Sequence, residues 1–299
     1  MCGIVGLFLK KPGLEKKLGS HLAAMLIGMS DRGPDSAGFA VYREPAGKGR
    51  IKLTLHHADP AFAWKKLSQG LAKATGKPVQ TERRASHAVL RVAATIETAR
   101  AWLGAHYPDI RIMGCGERIE LFKEMGLPAD VAKRFDLAHL AGTHAIGHTR
   151  MATESAVTTE HSHPFSTGLD LCLVHNGSLS NHNRLRVSLR RQGIAFETDN
   201  DTEVAAGYMT WRMREGATLK EAMTSALKDL DGFYTFAVGT KDGFAVLRDP
   251  FACKPAVLAE TDEWVAMASE YRSIAPLPGA DRARVWEPQP ATVYSWGRA

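Results

Sequence analysis

The sequence predicts an α+β architecture of packed layers, and three features carry that expectation. An apolar run with β-branched residues opens the chain, Cys2-Gly3-Ile4-Val5-Gly6-Leu7-Phe8. Two helical patterns follow one another between residues 202 and 230. Two alternating apolar runs, Phe233 to Thr240 and Phe244 to Arg248, flank the turn Lys241-Asp242-Gly243, the signature of an antiparallel hairpin. Helices combined with antiparallel strands bury their apolar faces as stacked layers.

Each element has a local reason. The opening run ends at Lys10-Lys11-Pro12-Gly13, as a buried strand would. Ser20 is placed to N-cap a helix over 21–29, which Asp31-Arg32-Gly33-Pro34 closes. Gly38 to Tyr42 reads as a strand, with a turn at Glu44-Pro45-Ala46-Gly47. The texture changes over 58–140. Ala-, Lys- and Arg-rich patterns at Ala61 to Lys73 and Arg83 to Leu103, a Gly-Cys-Gly turn, and a pattern over Ile119 to Met125 predict a helical insertion inside a single 2–299 domain. From Ala145 strand and loop return. Leu171 to His175 is a strand that Asn176-Gly177 should break. Val204, Tyr208 and Trp211 stand at helical spacing, and Thr218-x-x-Glu221 is a capping box for the helix after them.

Composition excludes several classes. The chain has 299 residues, 38 Lys+Arg against 32 Asp+Glu, a net charge of +6, and 44% hydrophobic content. That suits a sizeable core and argues against disorder, collagen or coiled coil. No apolar run approaches the ~18 residues of a membrane helix. The N-terminus places its apolar residues before its lysines, the reverse of a secretory signal, so a cytoplasmic protein is expected. Four cysteines, Cys2, Cys115, Cys172 and Cys253, form no CxxC pair, which speaks against a disulfide scaffold or zinc ribbon. His161-x-His163 and His144-x-x-x-His148 have ligand-like spacing, but no carboxylate or cysteine completes either pair, so no metal is expected. Arg184, Arg186, Arg190 and Arg191 lack the interleaved aromatics of a nucleic-acid surface and read as a solvated face.

Cys2 stands directly after the initiator methionine. Removal of Met1 would leave a thiol and an α-amine on one residue. That amine, with a pKa of roughly 7.7–8, can serve as the base for its own nucleophile. A cysteine at position 2 is by itself usually incidental; its company decides the matter.

Met1-Cys2-Gly3-Ile4-Val5-Gly6, Arg32-Gly33-Pro34-Asp35-Ser36-Ala37-Gly38 and Gly147-His148-Thr149-Arg150-Met151-Ala152-Thr153 occur in that order. His163-Pro164, His175-Asn176-Gly177, Asn200-Asp201-Thr202-Glu203, Arg248-Asp249-Pro250 with Lys254-Pro255, and Ala268-Ser269-Glu270 follow. Each is weak alone. Together, in this order, they resemble class II glutamine amidotransferases, over about 2–45 and 145–275. The resemblance implies a four-layer αββα sandwich of antiparallel sheets, of the N-terminal-nucleophile (Ntn) hydrolase type. It implies Cys2 as nucleophile, with the Asn176 side-chain amide and the Gly177 N–H as oxyanion hole. Arg150 would grip the glutamine carboxylate and Asp201 its ammonium, with Thr153 and His163 also lining the substrate. Arg32 would support the loop around Cys2. One departure stands out: many members carry Trp and then His-Gly where this chain has Met151 and Glu154-Ser155, which could alter closure over glutamine.

Glutamine hydrolysis releases ammonia, and no GxGxxG after a strand and no P-loop offers a second site in this chain. The expected consumer is a separate subunit. The resemblance extends to the freestanding amidotransferase subunit of glutamate-synthase-like systems, with N-methylglutamate synthase as the named match. It implies a hetero-oligomer, no cofactor in this chain, and FMN and iron–sulfur on the partner. Two alternatives stay open: a free Ntn amidohydrolase acting on γ-glutamyl peptides or other amides, and a catalytically idle regulatory subunit.

Overall fold

A computed structural model describes residues 2–152 and 156–297. The chain begins with β1 (Gly3–Leu9), α1 (Leu18–Ile27), β2 (Ser36–Tyr42) and β3 (Ile51–His56). Next come α2 (Trp64–Thr75), β4 (Gln80–Arg84), β5 (His87–Val92), α3 (Ile96–His106), β6 (Arg111–Gly116), β7 (Ile119–Met125) and α4 (Pro128–Arg134). Strands β8 (His144–Arg150), β9 (Phe165–Gly168) and β10 (Leu171–Leu179) lead into helices α5 (His182–Arg191), α6 (Asp201–Arg214) and α7 (Leu219–Asp229). The hairpin β11 (Gly232–Thr240) and β12 (Gly243–Arg248), the pair β13 (Val257–Glu260) and β14 (Trp264–Ala268), and the short β15 (Arg284–Trp286) and β16 (Val293–Gly297) follow.

Two antiparallel sheets form the middle of the molecule, ordered β15-β13-β14-β1-β8-β2-β7 and β16-β12-β11-β10-β9. Strand alternation sorts side chains between layers. In β1, Ile4 and Phe8 meet Val174, Ala237, Phe244 and Val246 of the second sheet. Val5, Leu7 and Leu9 face the opposite way, against Leu22, Met25 and Leu26 of α1 and Val131 of α4. In β10, Cys172 and Val174 enter the inter-sheet core, while Leu171 and Leu173 meet Val204 and Tyr208 of α6 and Met223 of α7. The layers are therefore helix, sheet, sheet, helix. Burial of both faces of β1, whose residues are all buried, explains why that run carries no polar side chain.

The expectation of a helical insertion over 58–140 is corrected. A third antiparallel sheet, ordered β4-β5-β3-β6, packs under α2 and α3 around Leu53, Leu90, Trp64, Leu67 and Leu103. Ala85, at φ 51°, reverses the chain between β4 and β5 inside what read as one helix from Arg83 to Leu103. His87 to Val92 then pairs with β3 along its length, so strand pairing and burial override helix propensity there. Ile119 to Met125 is likewise a strand, on the edge of the large sheet beside β2, and α4 returns to the main helical layer.

Gly114-Cys115-Gly116 lies in β6 and not in a turn. The reversal comes one step later, where the N–H groups of Glu117, Arg118 and Ile119 donate to the Asp170 carboxylate at 2.6, 2.8 and 3.0 Å. The third sheet is clamped to the first by a buried ion pair. Glu120 of β7 accepts from Lys52 of β3 at 2.6 Å and from Arg43 at 2.8 Å, and the Lys52 and Glu120 side chains are fully buried.

Smaller differences have local causes. α1 begins at Leu18, so Ser20 sits inside it and its hydroxyl donates to the Lys17 carbonyl. Thr240 pairs with Gly243, which makes the β11–β12 turn two residues long. The Thr218–Glu221 capping box is present in full.

Candidate active site

Cys2 sits at the entrance to β1, where distant segments meet. Gly3 pairs with Thr149 on β8, and Arg150, the next residue, pairs with Ser36 at the start of β2. The half-buried Cys2 thiol lies 3.7 Å from the Met151 carbonyl. Two side chains hold the Cys2 backbone carbonyl: Arg32 Nε at 3.0 Å and Asn176 Nδ2 at 3.0 Å. Arg32 is itself paired with Glu270 at 2.5 Å, and its hydrogen bond to Glu270 holds that carboxyl below its ordinary range. Ser269 accepts from the Ile4 N–H at 2.9 Å and from Asn176 Nδ2 at 3.2 Å. Ser269 and Glu270 thus orient Asn176 and Arg32. Both fall in the Ala268-Ser269-Glu270 motif, whose residue types alone assign neither a role.

Close backbone approach explains two of the glycines. A Cβ on Gly33 would come within 2.4 Å of the Thr149 backbone carbon, so only glycine lets this loop lie against β8. At Gly177 φ is +139°, and a Cβ would meet the Phe233 carbonyl at 1.9 Å. Here the expected break is corrected: β10 runs through Asn176 and Gly177, which pair with Thr235 and Tyr234. The strand ladder aims the Asn176 amide at Cys2.

Asp201 opens α6, but Asn200 is the cap, accepting from the Thr202 N–H at 2.8 Å. Asp201 accepts instead from the Leu179 N–H at 3.0 Å, two residues beyond Gly177, and lies 3.7 Å from His175 Nδ1. Burial raises its carboxyl, but the hydrogen bond and charge of His175 and the Leu179 N–H outweigh that and hold it at about 2. It is an anion at neutral pH.

Arg150 is buried and donates to the Ala156 carbonyl at 3.0 Å. Thr153 and Met1 lie outside the described residues. His163 is buried behind Asp201: its Nε2 lies 3.1 Å from Thr202 Oγ1, and its ring lies 4.0 Å from that of His148. Thr202 Oγ1 also serves His175 Nδ1 at 3.1 Å. Burial drives His148 down to about 3 and, with His148 beside it, pushes His163 well below its ordinary value, so both are neutral. Cys2, Arg32 and Arg150 at the first sheet and Asn176 and Gly177 of the second therefore converge where the two sheets face each other, Asp201 is pinned beside β10, and His163 supports from behind.

The remaining histidines and arginines have other partners. His144 stacks on Tyr42 at 4.1 Å, and His161 pairs with Asp199 at 3.0 Å. Arg186 departs from the solvated-face reading. It is buried and binds Asn183 Oδ1 and the carbonyls of Asp199 and Asn200, which steadies the cap of α6.

The layers and the site at the start of β1 define an Ntn-hydrolase-type sandwich, and the comparisons with known proteins agree. The fold resembles the allosteric regulatory enzyme of purine biosynthesis, with a TM-score of 0.65, 21% identity, and coverage of 99% of this chain and 47% of that one. It also resembles glutamine phosphoribosylpyrophosphate amidotransferase of B. subtilis, with a TM-score of 0.61, 21% identity, and coverage of 99% and 49%. The chain thus spans just under half of each of these two. A family model described as a glutamine amidotransferase domain matches residues 148–276. The glutamine amidotransferase-like protein GlxB of Rhizobium meliloti is 59% identical over 297 residues, 99% of this chain and 98% of that protein. A protein of Methanothermobacter thermautotrophicus described as a glutamine amidotransferase is 32% identical over 98% of this chain and 99% of its own length. The chain belongs to the class II glutamine amidotransferase family. Among the described residues no helix is long and apolar enough to cross a membrane.

Proposed function

We propose that this enzyme hydrolyses L-glutamine to glutamate and ammonia through a Cys2 thioester and passes the ammonia to a separate glutamate-synthase-like subunit. The observation that carries the reading is the convergence of the Asn176 amide and the Arg32 guanidinium on Cys2, beside Arg150. With Met1 removed, the Cys2 α-amine accepts the thiol proton as the sulfur attacks the side-chain amide carbon of glutamine. The tetrahedral oxyanion is stabilised by the Asn176 amide and the Gly177 N–H; one such donor contributes ~2.7–4 kcal/mol. The α-ammonium returns the proton to the leaving nitrogen, the C–N bond breaks and ammonia departs. Water then attacks the thioester, releasing glutamate and restoring the thiol.

Arg150 offers a guanidinium to the substrate α-carboxylate and Asp201 a carboxylate to its ammonium, with His163 held behind Asp201 through Thr202. Ammonia made here needs an acceptor site. In this reading the acceptor is a partner of the N-methylglutamate synthase kind, which carries FMN and iron–sulfur, and this chain carries no cofactor.

The test is mass spectrometry after treatment with 6-diazo-5-oxo-norleucine. The expected result is one label on an N-terminal Cys2 lacking Met1, and none in Cys2→Ala. Labelling elsewhere, or an active Cys2→Ala protein, overturns the mechanism. Affinity purification from the native host should bring down a flavin-containing subunit; full glutamine-dependent synthesis by this chain alone would refute the partner reading.

A further inference from the structure

Lys123 lies in β7, outside every motif that pointed to glutamine chemistry, and only 4% of it is exposed. Its Nζ donates to the carbonyls of Glu160, Ser162 and Pro164 at 3.0, 2.8 and 3.2 Å, and sits 4.3 Å from the centroid of the Phe165 ring. An ammonium has three N–H donors and no acceptor, so all three are used on one short loop. The carbonyls bracket His163 on both sides. Gly38, paired with Lys123 across β2 and β7, lets that loop lie flat on the sheet edge, since a Cβ there would meet the His163 carbonyl at 2.2 Å. Glu124, the next residue, accepts from the hydroxyls of Thr159 and Ser86, so β7 grips the loop and ties it to the third sheet.

The loop leads to the charge clamps. His163 reaches Thr202 Oγ1, which also contacts His175 and, at 3.4 Å, Asp201 Oδ1. At its other end the loop continues from Ala156, whose carbonyl takes the Arg150 guanidinium.

We propose that Lys123 is a positioning residue for glutamine hydrolysis, holding the carbonyls on either side of His163 and so setting Asp201 for the substrate ammonium. The role rests on the glutamine site proposed above. It has a pH signature, because a neutral amine has two donors and a lone pair that would face a carbonyl oxygen. Burial lowers the Lys123 pKa to about 8, against the pull of Glu203 on α6, Glu197 just before it and Glu160 in the loop; Cys172 on β10, whose thiol burial pushes up to about 12, stays neutral beside it. His56 of β3, His87 of β5 and His163 also face its charge, and burial keeps them neutral. The three-donor grip is complete below about pH 8 and drops to two donors, uncharged, above it.

The experiment measures glutamine KM and kcat for wild type, Lys123→Met and Lys123→Arg from pH about 7 to about 9. Wild-type KM should rise about tenfold through that range, the factor one lost charged hydrogen bond carries. Lys123→Met should have a raised KM at every pH without that step, and a smaller loss in kcat. Lys123→Arg, always charged, should lack the alkaline step. The Cys2 amine and the glutamine ammonium titrate alike in all three proteins, so the difference between profiles belongs to Lys123. A folded Lys123→Met with wild-type KM and pH profile overturns the role while leaving glutamine hydrolysis standing. Wild type inert toward glutamine at every pH overturns the glutaminase reading and this role with it. Should Lys123→Met not fold, an alkaline rise in KM shared by wild type and Lys123→Arg overturns the role.

Discussion

The Asn176 side-chain amide donates a 3.0 Å hydrogen bond to the backbone carbonyl of Cys2, across 174 residues of sequence. The residue assigned to the oxyanion hole therefore also fixes the backbone of the residue assigned as nucleophile. Ser269, which accepts from the same nitrogen and from the Ile4 N–H, keeps the amide in that orientation.

In the proposed mechanism, Asn176→Ala removes a preorganised donor from the place where charge develops only in the transition state. We expect kcat to fall by about 10²–10³ with little change in KM. Steady-state glutaminase assays decide: a loss confined to KM would mean that Asn176 binds substrate without stabilising the oxyanion.

Arg150→Lys keeps the charge but replaces a planar fork with a point donor, and it also loses the bond to the Ala156 carbonyl. Glutamine KM should rise about tenfold or more while thermal stability changes little. An unchanged KM would rule Arg150 out as the carboxylate clamp.

Asp201 carries an acid signature with a definite sign. Its folded pKa of about 2 lies below the ordinary 3.8, so its contribution to stability is complete above about pH 4 and is lost as pH falls toward 2. Asp201→Asn should lower stability at neutral pH by about 2 kcal/mol and flatten that acid limb. Denaturant titrations across the range measure both; an unaltered acid limb would mean that His175 and Leu179 do not hold the carboxylate as described. Glutamine KM should rise as well.

Glu120→Gln leaves Lys52 buried without its hydrogen-bonded counter-charge, with only Glu44 at 3.9 Å in its place. A loss of about 3–5 kcal/mol is expected, read as a shift in the denaturation midpoint. The folded fraction should still hydrolyse glutamine, because this pair joins the third sheet to the first and does not touch Cys2. A loss below about 1 kcal/mol would show the site to be solvated, as surface pairs are.

Legibility followed the range of the interactions. The β1 run, the capping box at Thr218 and the β11–β12 hairpin were readable because each is written in neighbouring residues at a fixed period. His87 to Val92 and Ile119 to Met125 read locally as helical because their strand state comes from β3 and β2, more than thirty and more than seventy positions away. Asn176-Gly177 misled for the same reason. Locally it is a turn pair, but the ladder to Thr235 and Tyr234 carries the strand through it. Lys123 had no sequence signal, since three backbone carbonyls leave no trace in residue type.

By itself the sequence determined which groups are available: a cysteine behind the initiator, an Asn-Gly pair, an arginine, an aspartate, and the order that marks the family. It also determined the apolar periods that force layers. Tertiary structure decided what those groups touch. Asn176 and Arg32 share the Cys2 carbonyl, Asn200 takes the cap and frees Asp201, and the 58–140 segment sends Lys123 under the His163 loop. The physical reason is that a hydrogen bond is satisfied by distance and angle in space, which the spacing of residues along a chain does not encode.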